Sequence, residues 1–326
     1  MTTYTLMRIE GMGAERERVE EALKSSVDAQ DPNLTEMARH LILAGGKRLR
    51  PVFAIAAGWS GNGEPVSENV ILGAAACELV HIGSLYHDDV MDESPTRRGV
   101  STVNYLWGNR RAIVAGDFLL ARASELAAII GGAAPGLLAR TITSLCEGQT
   151  EELGALYKVD RSIESYLRSI RGKTASLFAT SARIGAVAGG KTEKIVEAAE
   201  AVGEAYGMAF QIVDDILDLT ASSAVVGKPT GHDMVEGVYT LPVLLALRSG
   251  AAKDLRNLLK SEIASDIAAE AARLVREGGG IQEALSMADK FAEKAEQAGQ
   301  VLENSPAAEG LVRAAREMLE DLKKQV

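Results

Sequence analysis

Apolar residues recur at three- and four-residue spacing along most of the chain. Val19, Leu23, Leu34, Met37 and Leu41 form one such series, and Ile163, Tyr166, Leu167 and Ile170 a second. Ile267, Leu274, Ile281, Leu285 and Ala288 form a third. This spacing keeps one face of a 3.6-residue helix apolar. Strict alternation, the mark of a half-buried strand, is scarce. Gly61-Asn62-Gly63-Glu64-Pro65, Gly131-Gly132-Ala133-Ala134-Pro135, Gly189-Gly190 and Gly278-Gly279-Gly280 separate apolar stretches of helical length. Asp160 is placed to cap a helix with Glu164 in its first turn. The pattern predicts an all-α chain of ten or more helices. Residues 1–326 read as a single domain, with 1–14 as an N-terminal extension. No fixed-period repeat or low-complexity linker interrupts it.

Composition sharpens this picture. The chain has 326 residues, 47% of them hydrophobic but only 4% aromatic. Its core must therefore come mainly from Ala, Leu, Val and Ile, which suits closely packed helices. A net charge of −10 argues against a nucleic-acid partner bound through phosphate neutralisation. Two cysteines, Cys77 and Cys146, cannot make a disulfide framework and read as buried small hydrophobes. Met1–Met12 lacks a basic stretch followed by an apolar run. No apolar run reaches the ~20 residues that span a bilayer. A cytoplasmic protein without a transmembrane segment is the expectation.

Two acidic strings stand out within apolar helical sequence: Asp88-Asp89-Val90-Met91-Asp92 and Asp214-Asp215-Ile216-Leu217-Asp218. Positions i and i+4 share a helix face, so Asp88 stacks with Asp92 and Asp214 with Asp218. Like charges about 4 Å apart repel by roughly 4 kcal/mol at an effective dielectric of about 20. Repeating that arrangement 126 positions later calls for a cation (214 − 88). Oxygen-only ligands favour Mg²⁺ or Mn²⁺ over zinc. Basic residues accompany both strings: Lys47 and Arg50 after a Gly45-Gly46 pair, Arg97 and Arg98 after Pro95, then Lys173 and Lys228. Six carboxylates against these six cations leave zero (6 − 6). A neutral site with acidic and basic poles suits metal ions beside diphosphate groups.

The motifs GGKRLRP, HDDVMDESPTRRG, GKTASL, FQIVDDILD and GKPTGHD, in this order, resemble those of the trans-isoprenyl diphosphate synthases, or polyprenyl synthetases. The resemblance runs from about Leu34 to Leu247. It implies an isoprenoid synthase fold around a deep central cavity, usually as a homodimer. It also implies a prenyltransferase that joins isopentenyl diphosphate to an allylic diphosphate through a Mg-assisted allylic carbocation. By motif match, Asp88, Asp92 and Asp214 would be the principal Mg²⁺ ligands, with three ions per site. Asp89, Asp215 and Asp218 would be further ligands or supports. Arg97, Lys173 and Lys228 would hold the allylic diphosphate. Lys47, Arg50, His81 and Arg98 would hold isopentenyl diphosphate, with Phe210 beside its chain. Thr174 and Gln211 would turn oxygen atoms toward the carbocation.

One residue departs from the family pattern. Val238 stands where a lysine is common, which removes one contact to the leaving diphosphate. Upstream of the first string, Val80, Gly83 and Ser84 flank the face of Asp88. Family members with short products carry a bulky aromatic there, so the small Gly83 and Ser84 imply a product longer than four isoprene units. Small residues Ala121, Ser124 and Ala128 would leave further room if their helix forms the cavity floor. Such a product implies peripheral membrane contact on release. Two alternatives stand beside elongation: a terpene cyclase, and a non-catalytic partner subunit of a heteromeric synthase.

Overall fold

The three-four periodicity is realised as helices that begin close to the N-terminus. The computed structural model describes residues 5–59, 61–220, 230–249, 252–259 and 262–324. A 3₁₀ turn at Thr5–Arg8 precedes α1 (Met12–Ser26), α2 (Pro32–Leu43), α3 (Leu49–Gly58) and α4 (Glu68–Met91). Next come α5 (Val103–Trp107), α6 (Asn109–Ile130), α7 (Ala134–Leu153) and α8 (Ile163–Ile170). A π-helical turn, Arg171–Ala175, leads into α9 (Ser176–Ala188), followed by α10 (Glu193–Thr220), α11 (His232–Val235) and α12 (Leu241–Ala246). The chain closes with α13 (Ala252–Leu258), α14 (Ser265–Glu277), α15 (Gly280–Gly299) and α16 (Pro306–Lys323).

Local chemistry sets several boundaries. Asp31 accepts a hydrogen bond from the Asn33 amide at 2.8 Å, with Pro32 opening α2. The cap of α8 is Ser162, which accepts from the Ser165 amide at 3.0 Å, so Asp160 does not fill that role. The expected extension over residues 1–14 is tied down where it is described: Leu6, Ile9 and Met12 are buried, and the Thr5 amide donates to Glu317 of α16 at 2.8 Å.

α4 lies at the centre, packed against α1, α3, α6 and α9, while α10 packs on α9, α15 and α16. Small residues let these backbones approach closely. A Cβ added at Gly185 of α9 would lie 1.9 Å from the Ala54 carbonyl oxygen of α3. By length and composition α4 could cross a membrane, which corrects the expectation that no stretch qualifies. However, 72% of its apolar window is buried inside the protein, as in a core helix. Cys77 is buried as expected, whereas Cys146 is exposed. Among the described residues the strands are two short ones, β1 (Thr96–Arg97) and β2 (Val100–Ser101), paired antiparallel.

Candidate active site

The first acidic string closes α4. Asp88 is half-buried and Asp92 exposed, but Asp89 is turned into the protein and is 1% exposed. One residue along a helix is a rotation of about 100°, so when Asp88 and Asp92 face the open side Asp89 cannot. Its Oδ1 accepts from Arg97 Nε at 2.5 Å. Asp89, expected as a further ligand or a support, is paired here with Arg97, which braces the string. Burial raises the Asp88 pKa against the pull of Lys173 and Arg97. Burial, Asp88 and Glu236 push Asp92 up to about 6.

The second string ends α10 in the same way. Asp214 is exposed and Asp218 half-buried, while Asp215 is 2% exposed. Asp215 Oδ2 accepts from the Tyr166 hydroxyl at 2.5 Å, and Oδ1 accepts from Gln211 Nε2 at 3.0 Å. It too is buried, with both carboxyl oxygens engaged by protein donors. Burial drives its pKa up to about 7, opposed by these two hydrogen bonds and reinforced by Asp214 and Glu152. Thr174, in the π turn, donates to Gln211 Oε1 at 2.7 Å. π turns recur at functional sites.

The two strings share a charged neighbour, Glu152. Glu152, on α7, pairs with Lys173 at 2.6 Å and raises the pKa of both Asp88 and Asp215. Burial lowers the pKa of Lys173, but Glu152, Asp88 and Asp92 outweigh it and hold the ammonium charged. Lys47 is lowered by burial, and Asp214 opposes that shift. Asp233 joins the acidic side: burial, Asp218, Asp215 and Asp214 all raise it well above its usual range. Glu152 and Asp233 were not anticipated as site residues. The former lies in an unremarkable polar run, Glu147–Glu152, and the latter sat within a motif read for its lysine and glycines.

A basic pocket adjoins the strings. Arg98 and Gly99 form the two-residue turn between β1 and β2, both with positive φ, 53° and 78°. A non-glycine residue there is strained, as at many binding sites. The turn presents Arg98 to the Gly45 carbonyl. Gly46 lies opposite, where a Cβ would come within 3.0 Å of the Arg98 guanidinium. Arg50 stacks over Phe178 at 4.7 Å, within a ring cluster of Phe53, Phe178, Tyr206 and Phe210. Burial lowers Arg50 to about 10, with Glu78 opposing. His81 is held neutral by burial and by Arg50, Arg98 and Arg97. Glu78 is the buried counter-charge and pairs with Arg48 at 3.0 Å. Arg48 also meets Glu20, so it is structural.

Lys228 lies outside the described residues. Val238 is half-buried, its amide bonded to the Asp233 carbonyl at 2.8 Å. Val80 is fully buried. Gly83 does not leave open space: a Cβ there would meet the Gly116 carbonyl at 3.1 Å and Leu120 at 3.3 Å on α6. Ser84 is half-buried and donates to the His81 carbonyl at 2.8 Å. Ala121, Ser124 and Ala128 are exposed on α6. A cleft of about 530 Å³ beside the π turn is lined by Arg140, Glu147, Arg168 and Glu204 and lies apart from this chemistry.

The donor set fits a hard cation. Among the described residues no three His, Cys, Asp or Glu side chains form a metal cage. Mg²⁺ takes only one or two carboxylates and completes its shell with phosphate and water. Burial is the first cause that raises Asp88, Asp92 and Asp233, and neighbouring carboxylates add to it at Asp92 and Asp233.

Paired aspartate faces beside a buried basic pocket, in an all-α frame, define an enzyme that acts on diphosphate esters. The profile of the polyprenyl synthetase family matches residues 31–275, and the chain belongs to that family. It is a trans-prenyltransferase of the isoprenoid synthase fold. It is 40% identical over 280 residues to heptaprenyl diphosphate synthase component 2 of Geobacillus stearothermophilus, covering 85% of this chain and 86% of the relative. It is also 40% identical over 282 residues to nonaprenyl diphosphate synthase of Mycobacterium tuberculosis, covering 85% and 84%. The fold matches a polyprenyl synthase from Caulobacter crescentus complexed with calcium and isoprenyl diphosphate. There the TM-score is 0.88 at 32% identity, covering 97% of this chain and 96% of the other.

Proposed function

We propose that the chain elongates an allylic diphosphate with isopentenyl diphosphate and Mg²⁺ to a product longer than four isoprene units. The observation that carries this is the convergence of Asp88, Asp215, Lys173 and Glu152 beside the Arg50–Arg98–His81 pocket. Asp88, Asp92, Asp214 and Asp218 would hold the metal, which supplies charge neutralisation as the diphosphate leaves. Lys173 would hold the allylic diphosphate. Lys47, Arg50 and Arg98 would hold isopentenyl diphosphate, and neutral His81 would add a hydrogen bond without further charge. Phe210 would form the apolar wall beside the new double bond. The Thr174 oxygen would face the allylic cation. The proton lost after addition would pass to the departing diphosphate.

Product length finds support in relatives named for seven and nine prenyl units, and in the small side chain of Ser84. A homodimer in the cytoplasm is the proposed state. Exposed Tyr105, Leu106, Ile113 and Val114 on α5 and α6 supply an apolar face for a second copy. A second reading, a subunit that needs a different partner, is favoured by Val238 and by a relative named as a component. The test is the purified chain alone with Mg²⁺, an allylic diphosphate and labelled isopentenyl diphosphate. Products beyond twenty carbons are expected. A fifteen-carbon product alone would overturn the length. Turnover that awaits a second protein would establish the partner reading, and diphosphate release without isopentenyl diphosphate would establish a cyclase.

A further inference from the structure

Tyr166 lies on α8, outside every motif that carries the family resemblance, and is 2% exposed. The Tyr166 hydroxyl donates to Asp215 Oδ2, 2.5 Å away. Asp215 Oδ1 accepts from Gln211 Nε2. That contact decides which way the Gln211 amide stands, a choice its shape alone leaves open. With nitrogen toward Asp215, oxygen faces Thr174 Oγ1 at 2.7 Å. An amide oxygen cannot donate, so the Thr174 proton is committed to Gln211 and the Thr174 lone pairs point elsewhere. A flipped amide would instead donate to Thr174, consuming a lone pair and placing positive charge beside it. The buried Arg161 guanidinium sits over the Tyr166 ring, 5.7 Å from its centroid.

We infer that Tyr166 is a positioning residue for chain elongation, acting through Asp215 and Gln211 to aim the Thr174 oxygen lone pairs at the developing allylic cation. The inference rests on the placement of Thr174 proposed above. It predicts that the site's preference for positive charge at the reacting carbon depends on a phenol that touches neither substrate.

The test compares two unreactive allylic diphosphate analogues in the Mg²⁺-loaded protein by calorimetry. One carries an ammonium nitrogen at the reacting carbon, and the other is a neutral thio-diphosphate. Tyr166→Phe is expected to weaken the ammonium analogue about tenfold while the neutral one stays within about twofold, the loss of one charge-oriented hydrogen bond. kcat should fall about tenfold with KM for isopentenyl diphosphate unchanged. In a Thr174→Ala background, Tyr166→Phe should add nothing. Equal weakening of both analogues, no weakening of either, or additive effects with Thr174→Ala would overturn the inference. If Tyr166→Phe does not fold, Asp215→Asn removes one of the two acceptors and must show the same selective loss. Wild-type turnover is measured first. Its absence overturns the elongation reading, while the analogue pair still reports on Tyr166.

Discussion

Asp215 is a buried carboxylic acid whose titration links pH to stability. Its folded pKa is about 7, against an ordinary value of 3.8. A group raised on folding contributes stability that is fully present below the unfolded pKa and is lost as pH rises through the folded one. The difference of about 3 pH units corresponds to about 4 kcal/mol at full titration. Between pH 5.5 and 8 the protein crosses about half of that range, so roughly 2 kcal/mol is lost. Asp92, at about 6, titrates in the same direction, and its exposure makes its share smaller. Thermal melts followed by circular dichroism in EDTA should therefore show the metal-free protein melting roughly 4 °C lower at pH 8 than at pH 5.5. Asp215→Asn removes its own share and should reduce that slope, the rest coming from Asp88, Asp92 and Asp233. A melting temperature that rises with pH, or an Asp215→Asn variant with the wild-type slope, would refute the reasoning.

Three further outcomes are expected. Glu78→Gln removes the buried partner of Arg48 and the nearby counter-charge of Arg50 and Arg98, and chemical denaturation should show a loss of about 3–5 kcal/mol. Gly185→Ala forces α3 and α9 apart at a 1.9 Å contact and should cost about 1–3 kcal/mol in the same assay. Ser84→Phe should shorten the product seen by thin-layer chromatography, whereas an unchanged length would show that Ser84 does not face the growing chain.

The helical architecture was legible because apolar three-four spacing is a direct record of which face is buried. The strings and their basic companions were legible because diphosphate chemistry demands rare residue types at fixed intervals. What escaped reading were side-chain directions. Motif match ranks Asp89 and Asp215 behind their neighbours, but only the structure shows that helix rotation sends them inward to Arg97 and Tyr166. Tyr166 looked like one more apolar position in its helix. Gly83 is small because α6 presses on it, and sequence does not separate a glycine that makes room from one that is pressed upon. Glu152 and Asp233 join the site only in the folded chain, Glu152 by pairing with Lys173 and Asp233 by lying within the field of Asp218, Asp215 and Asp214.

The central claim is that two distant acidic strings make one metal-dependent diphosphate site next to a separate basic pocket. Calorimetric titration with inorganic diphosphate, with and without Mg²⁺, tests it most directly. Mg²⁺-dependent binding at one site per chain is expected, abolished by Asp88→Asn and equally by Asp214→Asn. Isopentenyl diphosphate should still bind both variants without Mg²⁺ and should fail with Arg98→Ala. If either aspartate variant keeps wild-type diphosphate binding, the two strings do not form one site.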